Sequence, residues 1–133
     1  MIGLFPHFVV GDKTGEVYIK CAECNLKLNE RYEAAQHYQE AGHAYKKVST
    51  DGSLLLVQPQ STIANNMLDA VGAYKLAIDL FVDGGKFSQA ARLHKDIGAL
   101  LESENNLAGA IEHYSQASAF FRGEESQSLA LDC

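Results

Sequence analysis

The sequence predicts an all-α fold, about five helices arranged as stacked hairpins in a solenoid, and three observations carry that prediction. Residues 65–81, NNMLDAVGAYKLAIDLF, and residues 105–121, NNLAGAIEHYSQASAFF, are near copies forty positions apart. Met67, Val71, Tyr74 and Phe81 in the first are answered by Leu107, Ile111, Tyr114 and Phe121 in the second. A second echo sets AAQHYQEAGHAY at 34–45 against AARLHKDIGALL at 90–101, so that Ala34, Ala35 and Gly42 answer Ala90, Ala91 and Gly98. Finally, both prolines, Pro6 and Pro59, fall outside the periodic segments, which leaves each segment free to be helical throughout. Self-similarity at such a period marks stacked repeats.

Taken in order, the first helix is expected over about residues 15–28, with Val17, Cys21, Cys24 and Leu28 on one apolar stripe. The second, about 31–47, carries Ala34, Ala35, Tyr38, Ala41, Gly42 and Tyr45 along one side. A third, about 65–83, has Met67, Val71, Tyr74, Ile78 and Phe81 at helical spacing and stops at Gly84-Gly85, where glycine accepts the positive φ of a helix end. The fourth covers about 87–102, with Phe87, Ala90, Ala91, His94, Ile97, Gly98 and Leu101. The fifth, about 106–122, follows Asn105-Asn106 as capping residues and is expected to end at Gly123. Two helix types thus alternate, one with larger apolar residues and one with a tighter Ala/Gly stripe that lets a neighbour approach to ~8 Å. The whole chain, 1–133, is expected to be a single helical-repeat domain, a fragment of a longer solenoid. Residues 48–64, VSTDGSLLLVQPQSTIA, fit neither helix type and read as an inserted loop.

Bulk composition narrows the function classes. The chain is 47% hydrophobic and carries a net charge of −6, so it has no overall basic field to attract nucleic acid. No stretch reaches the ~18 apolar residues of a membrane span. Three cysteines behind a start without a secretory pattern point to a reducing compartment, the cytoplasm.

The segments AECNLKL, EAAQHYQEAGHAYKK, AIDLFVDGGKFSQAARLHKDIGALLE and NNLAGAIEHYSQASAFFRGEES resemble, in order and spacing, the alpha-type soluble NSF attachment proteins. The resemblance covers about residues 15–47 and 68–128 and implies a right-handed solenoid of tetratricopeptide-like hairpins, shortened at both ends and carrying an insertion. It also implies a function: an adaptor that grips the SNARE four-helix bundle (syntaxin-type proteins) and recruits the NSF-type ATPase for SNARE disassembly. The protein would then be cytoplasmic and peripherally associated with membranes through SNAREs. The family's basic SNARE-facing positions fall on Lys86, in the turn before the tight fourth helix, on Arg92 after the Ala-Ala pair, and on the Lys46-Lys47 pair ending the second helix. The plain alternative is that these are ordinary solvated charges, with Arg92 pairing to Asp96 one turn on. Where the family places another lysine soon after GEES, this chain has Asp132. A generic tetratricopeptide-like scaffold for short peptides is the alternative function.

Catalytic and cofactor motifs are not evident. VVGDKTGE fails as a phosphate loop because Asp12 stands where a glycine must admit the phosphate. Cys21 and Cys24 have CxxC spacing but no second ligand pair for zinc, and read as small hydrophobes packed on a helix stripe. The five histidines have no metal or triad spacing, and His94 reads as a packed or hydrogen-bonded ring. No catalytic residue, metal ligand or cofactor is therefore assigned, and no enzyme activity is expected. The N-terminal MIGLFPHFVV has two readings, a weak peripheral membrane contact through Leu4, Phe5 and Phe8, or a cap over the open end of the solenoid, and the cap is preferred.

Overall fold

A computed structural model describes the backbone of residues 5–50 and 60–132 and the side chains of residues 13–47 and 66–124. Every described element is an α-helix: α1 (Phe5–Lys27), α2 (Arg31–Thr50), α3 (Gln60–Asp83), α4 (Phe87–Ser103) and α5 (Leu107–Asp132). The all-α expectation holds, with no strand among the described residues. Two compact units divide the chain, Met1–Ala77 and Ile78–Cys133, so α3 gives its first part to one and its last turns to the other. In the first unit α1 packs on α2, and in the second α4 packs on α5.

The helices are longer than their periodic cores. Helix α1 starts at Phe5, which places Pro6 in the first turn, where a missing N–H costs no intrahelical bond. Helix α5 runs through Gly123 to Asp132 instead of stopping there. A glycine ends a helix only when it takes positive φ; otherwise it is an interior residue about 1 kcal/mol poorer than alanine, and the positive-φ glycine described here is Gly85. Helical backbone also covers 48–50 and 60–64 within the stretch read as an insert, while 51–59 lie outside the described residues. So do the side chains of Leu4, Phe5 and Phe8 and that of Asp132.

One turn geometry joins the helices three times. Leu28-Asn29-Glu30, Gly84-Gly85-Lys86 and Glu104-Asn105-Asn106 each put their middle residue in the left-handed region, with φ of 63, 74 and 62°. The third N–H of each turn reaches back five residues, Glu30 to the Asn25 carbonyl (2.8 Å), Lys86 to Phe81 (2.7 Å) and Asn106 to Leu101 (2.8 Å). The middle N–H bonds to Leu26, Val82 and Glu102. This is a Schellman closure, and glycine and asparagine are the residues that enter it at low cost. The expected Asn105-Asn106 cap divides its labour: Asn105 closes α4, and the Asn106 side-chain oxygen accepts the Gly109 N–H at 3.0 Å to open α5. The matching Asn65-Asn66 opens nothing, because it lies inside α3; Asn66 is buried there.

Packing between sequential helices rests on glycine facing tyrosine. Gly15 of α1 lies under the ring of Tyr45 of α2, Gly42 of α2 under Tyr74 of α3, and Gly98 of α4 under Tyr114 of α5. A Cβ built on these glycines would stand 2.7 Å from Tyr45 Cζ, 2.5 Å from Tyr74 Cδ1 and 2.8 Å from Tyr114 Cε1, far inside van der Waals contact. Around each contact sit small residues with no exposure, among them Ala34, Ala35 and Ala41 on α2 and Ala90 and Ala91 on α4. Tyr74 is fully buried, and its hydroxyl is satisfied by His43 Nδ1 at 2.7 Å, with the rings edge to face.

The stripe expected to bury α1 is the one it leaves open. Val17 is 59% and Leu28 69% exposed, Cys24 is exposed and Cys21 half-buried. What α1 turns toward α2 is Gly15 and Ala22, with Asn25 bonded to His37 at 2.6 Å. The reading of both cysteines as packed hydrophobes is therefore corrected for Cys24 and weakened for Cys21. Small residues decide this face, since close approach to α2 requires them and the larger Val17 and Leu28 do not fit the gap.

Two measurements test this packing. Gly42→Ala is expected to lower stability by about 1–3 kcal/mol, because the new methyl meets a buried ring that cannot withdraw, whereas Gly72→Ala, with open space around its Cβ, is expected to be neutral or stabilising in the same melting experiment. Burial pushes the Tyr38 and Tyr45 phenols up from 10.0, helped at Tyr38 by Glu23 and at Tyr45 by Asp69 and Glu16. Because the folded chain holds these protons more tightly, their stabilisation is complete below the ordinary tyrosine value and is lost as pH rises through the raised folded values. Melts taken from neutral to alkaline pH are expected to show that decline, attenuated in Tyr45→Phe.

Candidate partner-binding surface

The Gly84-Gly85-Lys86 turn and α4 position the first two candidate cations. Lys86 occupies the residue before the helix, with φ −92° and ψ 67°, and its side chain gives no capping bond to α4. The position is locally unfavourable, since a lysine lacks the acceptor that unbonded N–H groups want and adds positive charge at the positive end of the helix dipole. The compensation comes from α5. Glu124 accepts the Ser88 N–H at 3.1 Å through one carboxylate oxygen and the Ser88 hydroxyl through the other. A carboxylate about one turn past the centre of α5 thereby supplies the cap that Lys86 cannot, and leaves Lys86 exposed at the corner.

Arg92 lies in the second turn of α4, exposed between the buried Ala91 and Leu93. The described ion pairs do not include one between Arg92 and Asp96. Lys95 is exposed one turn further on the same outer side, a neighbour that the resemblance had not singled out but that the i, i+3 spacing on a helix makes legible. Further along, the same side turns acidic at Glu102, which accepts the Tyr114 hydroxyl at 3.0 Å and thereby raises the Tyr114 phenol. The cationic character is thus confined to the first half of α4.

Lys46 and Lys47 stand near the end of α2 in the other unit, Lys46 half-buried and Lys47 exposed. A cation in the last turn of a helix complements the negative end of its dipole, so a structural role accounts for Lys47 without a partner. On α2 the positions that answer Lys86, Arg92 and Lys95 are Glu30, Gln36 and Gln39, so the repeat does not carry the basic face with it.

Beneath the outer side, α4 and α5 are locked by groups that sequence spacing did not pair. His94 and His113 are buried with Nδ1 atoms 3.0 Å apart, a contact in which one ring donates and the other must be unprotonated at that nitrogen. Phe120 stacks on His94, with centroids 5.7 Å apart, and on Phe87 at 5.8 Å. The expectation of a hydrogen-bonded ring at His94 is met, and its partner was hidden because the two histidines are nineteen residues apart on different helices. A cleft of about 180 Å³ lined by Phe87, Ala119, Phe120, Gly123 and Glu124 opens at this end of the hairpin. Among the described residues no three His, Cys, Asp or Glu side chains are grouped to hold a metal, and no helix is long and apolar enough to cross a membrane.

Comparison with known proteins places this arrangement. The family model described as "Soluble NSF attachment protein, SNAP" matches residues 10–133. The chain is 30% identical to an alpha-soluble NSF attachment protein of Vitis vinifera over 92% of its own length and 36% of that relative's. It is 33% identical to the beta-soluble NSF attachment protein of Bos taurus and 31% identical to the alpha form of Homo sapiens, each over 90% of this chain and 35% of the relative. The chain therefore spans about a third of the length of the curated relatives it matches. No solved structure matches.

Removing the inter-helix cap is expected to loosen the corner that presents Lys86. Glu124→Ala should cost about 1 kcal/mol, in the range of a lost helix cap, and speed amide exchange in the first turn of α4 while leaving α1 and α2 unchanged, as read by hydrogen-exchange mass spectrometry.

Proposed function

The chain belongs to the soluble NSF attachment protein family, and from that premise we propose that it acts as a non-catalytic adaptor in vesicle fusion and intracellular transport. In this reading it binds SNARE four-helix bundles of the syntaxin type and recruits an NSF-type ATPase, working in the cytoplasm and meeting membranes through its SNARE partners. One observation supports the assignment of the binding residues: Lys86, just before α4, and Arg92, on it, are both exposed, and Lys86 occupies a helix start where a cation is locally costly and is offset from α5. Residues that break a local rule with a compensating contact nearby are those retained for what they present outward. A cationic side suits an acidic coiled coil, where complementary charge accelerates encounter and selects the partner more than it adds affinity. Lys95 extends that side, and the Lys46-Lys47 pair is the weaker part of the assignment.

The test is a pull-down of assembled SNARE bundle with the Lys86→Glu/Arg92→Glu double variant. Capture is expected to fall about tenfold at physiological salt and the difference to narrow as salt rises. Undiminished capture by a variant with unchanged helicity would remove these two residues from the surface. Preferential capture of an extended peptide over the assembled bundle would instead favour the peptide-scaffold reading.

A further inference from the structure

Two buried histidines face each other across a single proton. His94 of α4 and His113 of α5 are 6% and 9% exposed, with their Nδ1 atoms 3.0 Å apart. At that separation one ring donates its Nδ1–H and the other accepts with a bare Nδ1. A first extra proton goes to Nε2 of the donating ring, and the bridging bond survives as a charge-assisted one. A second has only the accepting Nδ1 to go to. It would set two N–H groups and two like charges face to face, out of water. The folded pair therefore holds one net charge at most, where the same two residues in an open chain each take a proton near about pH 6.5.

The surroundings suit one charge better than two. Phe120 lies over His94, with centroids 5.7 Å and planes 18° apart, and the face of a phenyl ring attracts a cation. A turn away on the same sides, Ala91 and Gly98 on α4 and Ala110 and Ala117 on α5 bring no charge. Two carboxylates that reach across the hairpin are bonded elsewhere, Glu102 to Tyr114 and Glu124 to Ser88. Glu112 on α5 and Asp79 and Asp83 in the last turns of α3 are exposed, where water and salt screen them. On α4, the half-buried Asp96 lies one turn from Arg92 and next to Lys95, and those two exposed cations oppose further positive charge.

We propose that the His94–His113 pair is an acid-sensitive latch between α4 and α5, closed while it carries at most one charge and opened by the second proton. Because the open hairpin binds more protons than the closed one, the stability the latch contributes is complete above the ordinary histidine value and is lost as pH falls below it. The latch belongs to the hairpin and does not depend on what α4 binds.

The variant that tests it is His113→Asn, whose side-chain oxygen can accept the His94 Nδ1–H but takes up no proton. Asparagine lowers stability at every pH, so the slope and not the level is read. Hydrogen-exchange mass spectrometry of the full chain, corrected for intrinsic exchange, is expected to show α4 and α5 losing protection between about pH 8 and about pH 5.5. At the acid end the unaltered chain is expected to have lost about tenfold more than His113→Asn, the effect of one proton over one pH unit. Helices α1 and α2, which carry His37 and His43, are expected to change equally in both proteins. Should the variant not fold, nitrogen NMR of the unaltered chain decides. It is expected to show one imidazole of the pair still neutral below about pH 6 and a scalar coupling between the two Nδ1 atoms across their hydrogen bond. Equal loss of protection in both proteins, or both rings titrating at the ordinary histidine value with protection unchanged, would overturn the proposal.

Discussion

Three of the helix-to-helix contacts among the described residues depend on a glycine with no room for a Cβ beneath a facing ring. At Gly15, Gly42 and Gly98 the next helix lays a tyrosine ring where a side chain would begin. The contact does two things at once. It brings the backbones to the close end of the usual axial range, which makes the alanine stripes around it effective, and it buries an aromatic ring of large area. The hydroxyl left at the far end of the ring then needs a partner, and the structure supplies His43 for Tyr74 and Glu102 for Tyr114. Polar groups that look like candidates for chemistry are, at these two places, the satisfaction of packing.

That constraint also leaves the outer surface free for the role proposed above. A helix fixed by small residues on its inner side is free to vary outside, and α2 and α4 use that freedom differently: glutamine where α4 has Arg92 and Lys95. The basic character is local to one repeat in a chain whose net charge is −6. It is held in place by α5, through Glu124 at the start of α4 and through the His94–His113 and Phe87–Phe120 contacts deeper in the hairpin. A partner of the kind proposed above would read a side of α4 whose geometry is set by the helix behind it.

The repeat also accounts for what is uncovered. The apolar residues copied from α3 into α5 do not share its environment: Phe81 is 1% exposed and Phe121 40%, and Leu107 and Ile111 are 55% and 65% exposed against a buried Met67 and a half-buried Val71. Open apolar stripes on α1 and α5 are what helices of this design show wherever a neighbour of the same kind is not in contact, because each is built to bury two sides. Family membership agrees with that design, and the chain spans about a third of its relatives' length.

Sequence by itself determined the helices, their alternation and the pairs of positions that answer each other, since periodicity and self-similarity are local properties that no tertiary contact is needed to reveal. It also named Gly42, Gly98, Tyr74 and Tyr114 as corresponding residues, and the likeness of its segments pointed to the family. It did not determine which stripe of α1 is buried, because Val17, Cys21, Cys24 and Leu28 are as apolar as any core stripe and only the position of α2 shows that Gly15 and Ala22 face inward. It did not pair His94 with His113, or Ser88 with Glu124, for those contacts join residues far apart in the chain on facing helices. Nor did it separate Asn65-Asn66, inside a helix, from Asn105-Asn106, in a turn. The same two residues serve both because the left-handed backbone is adopted only where the next helix must fold back to reach its glycine.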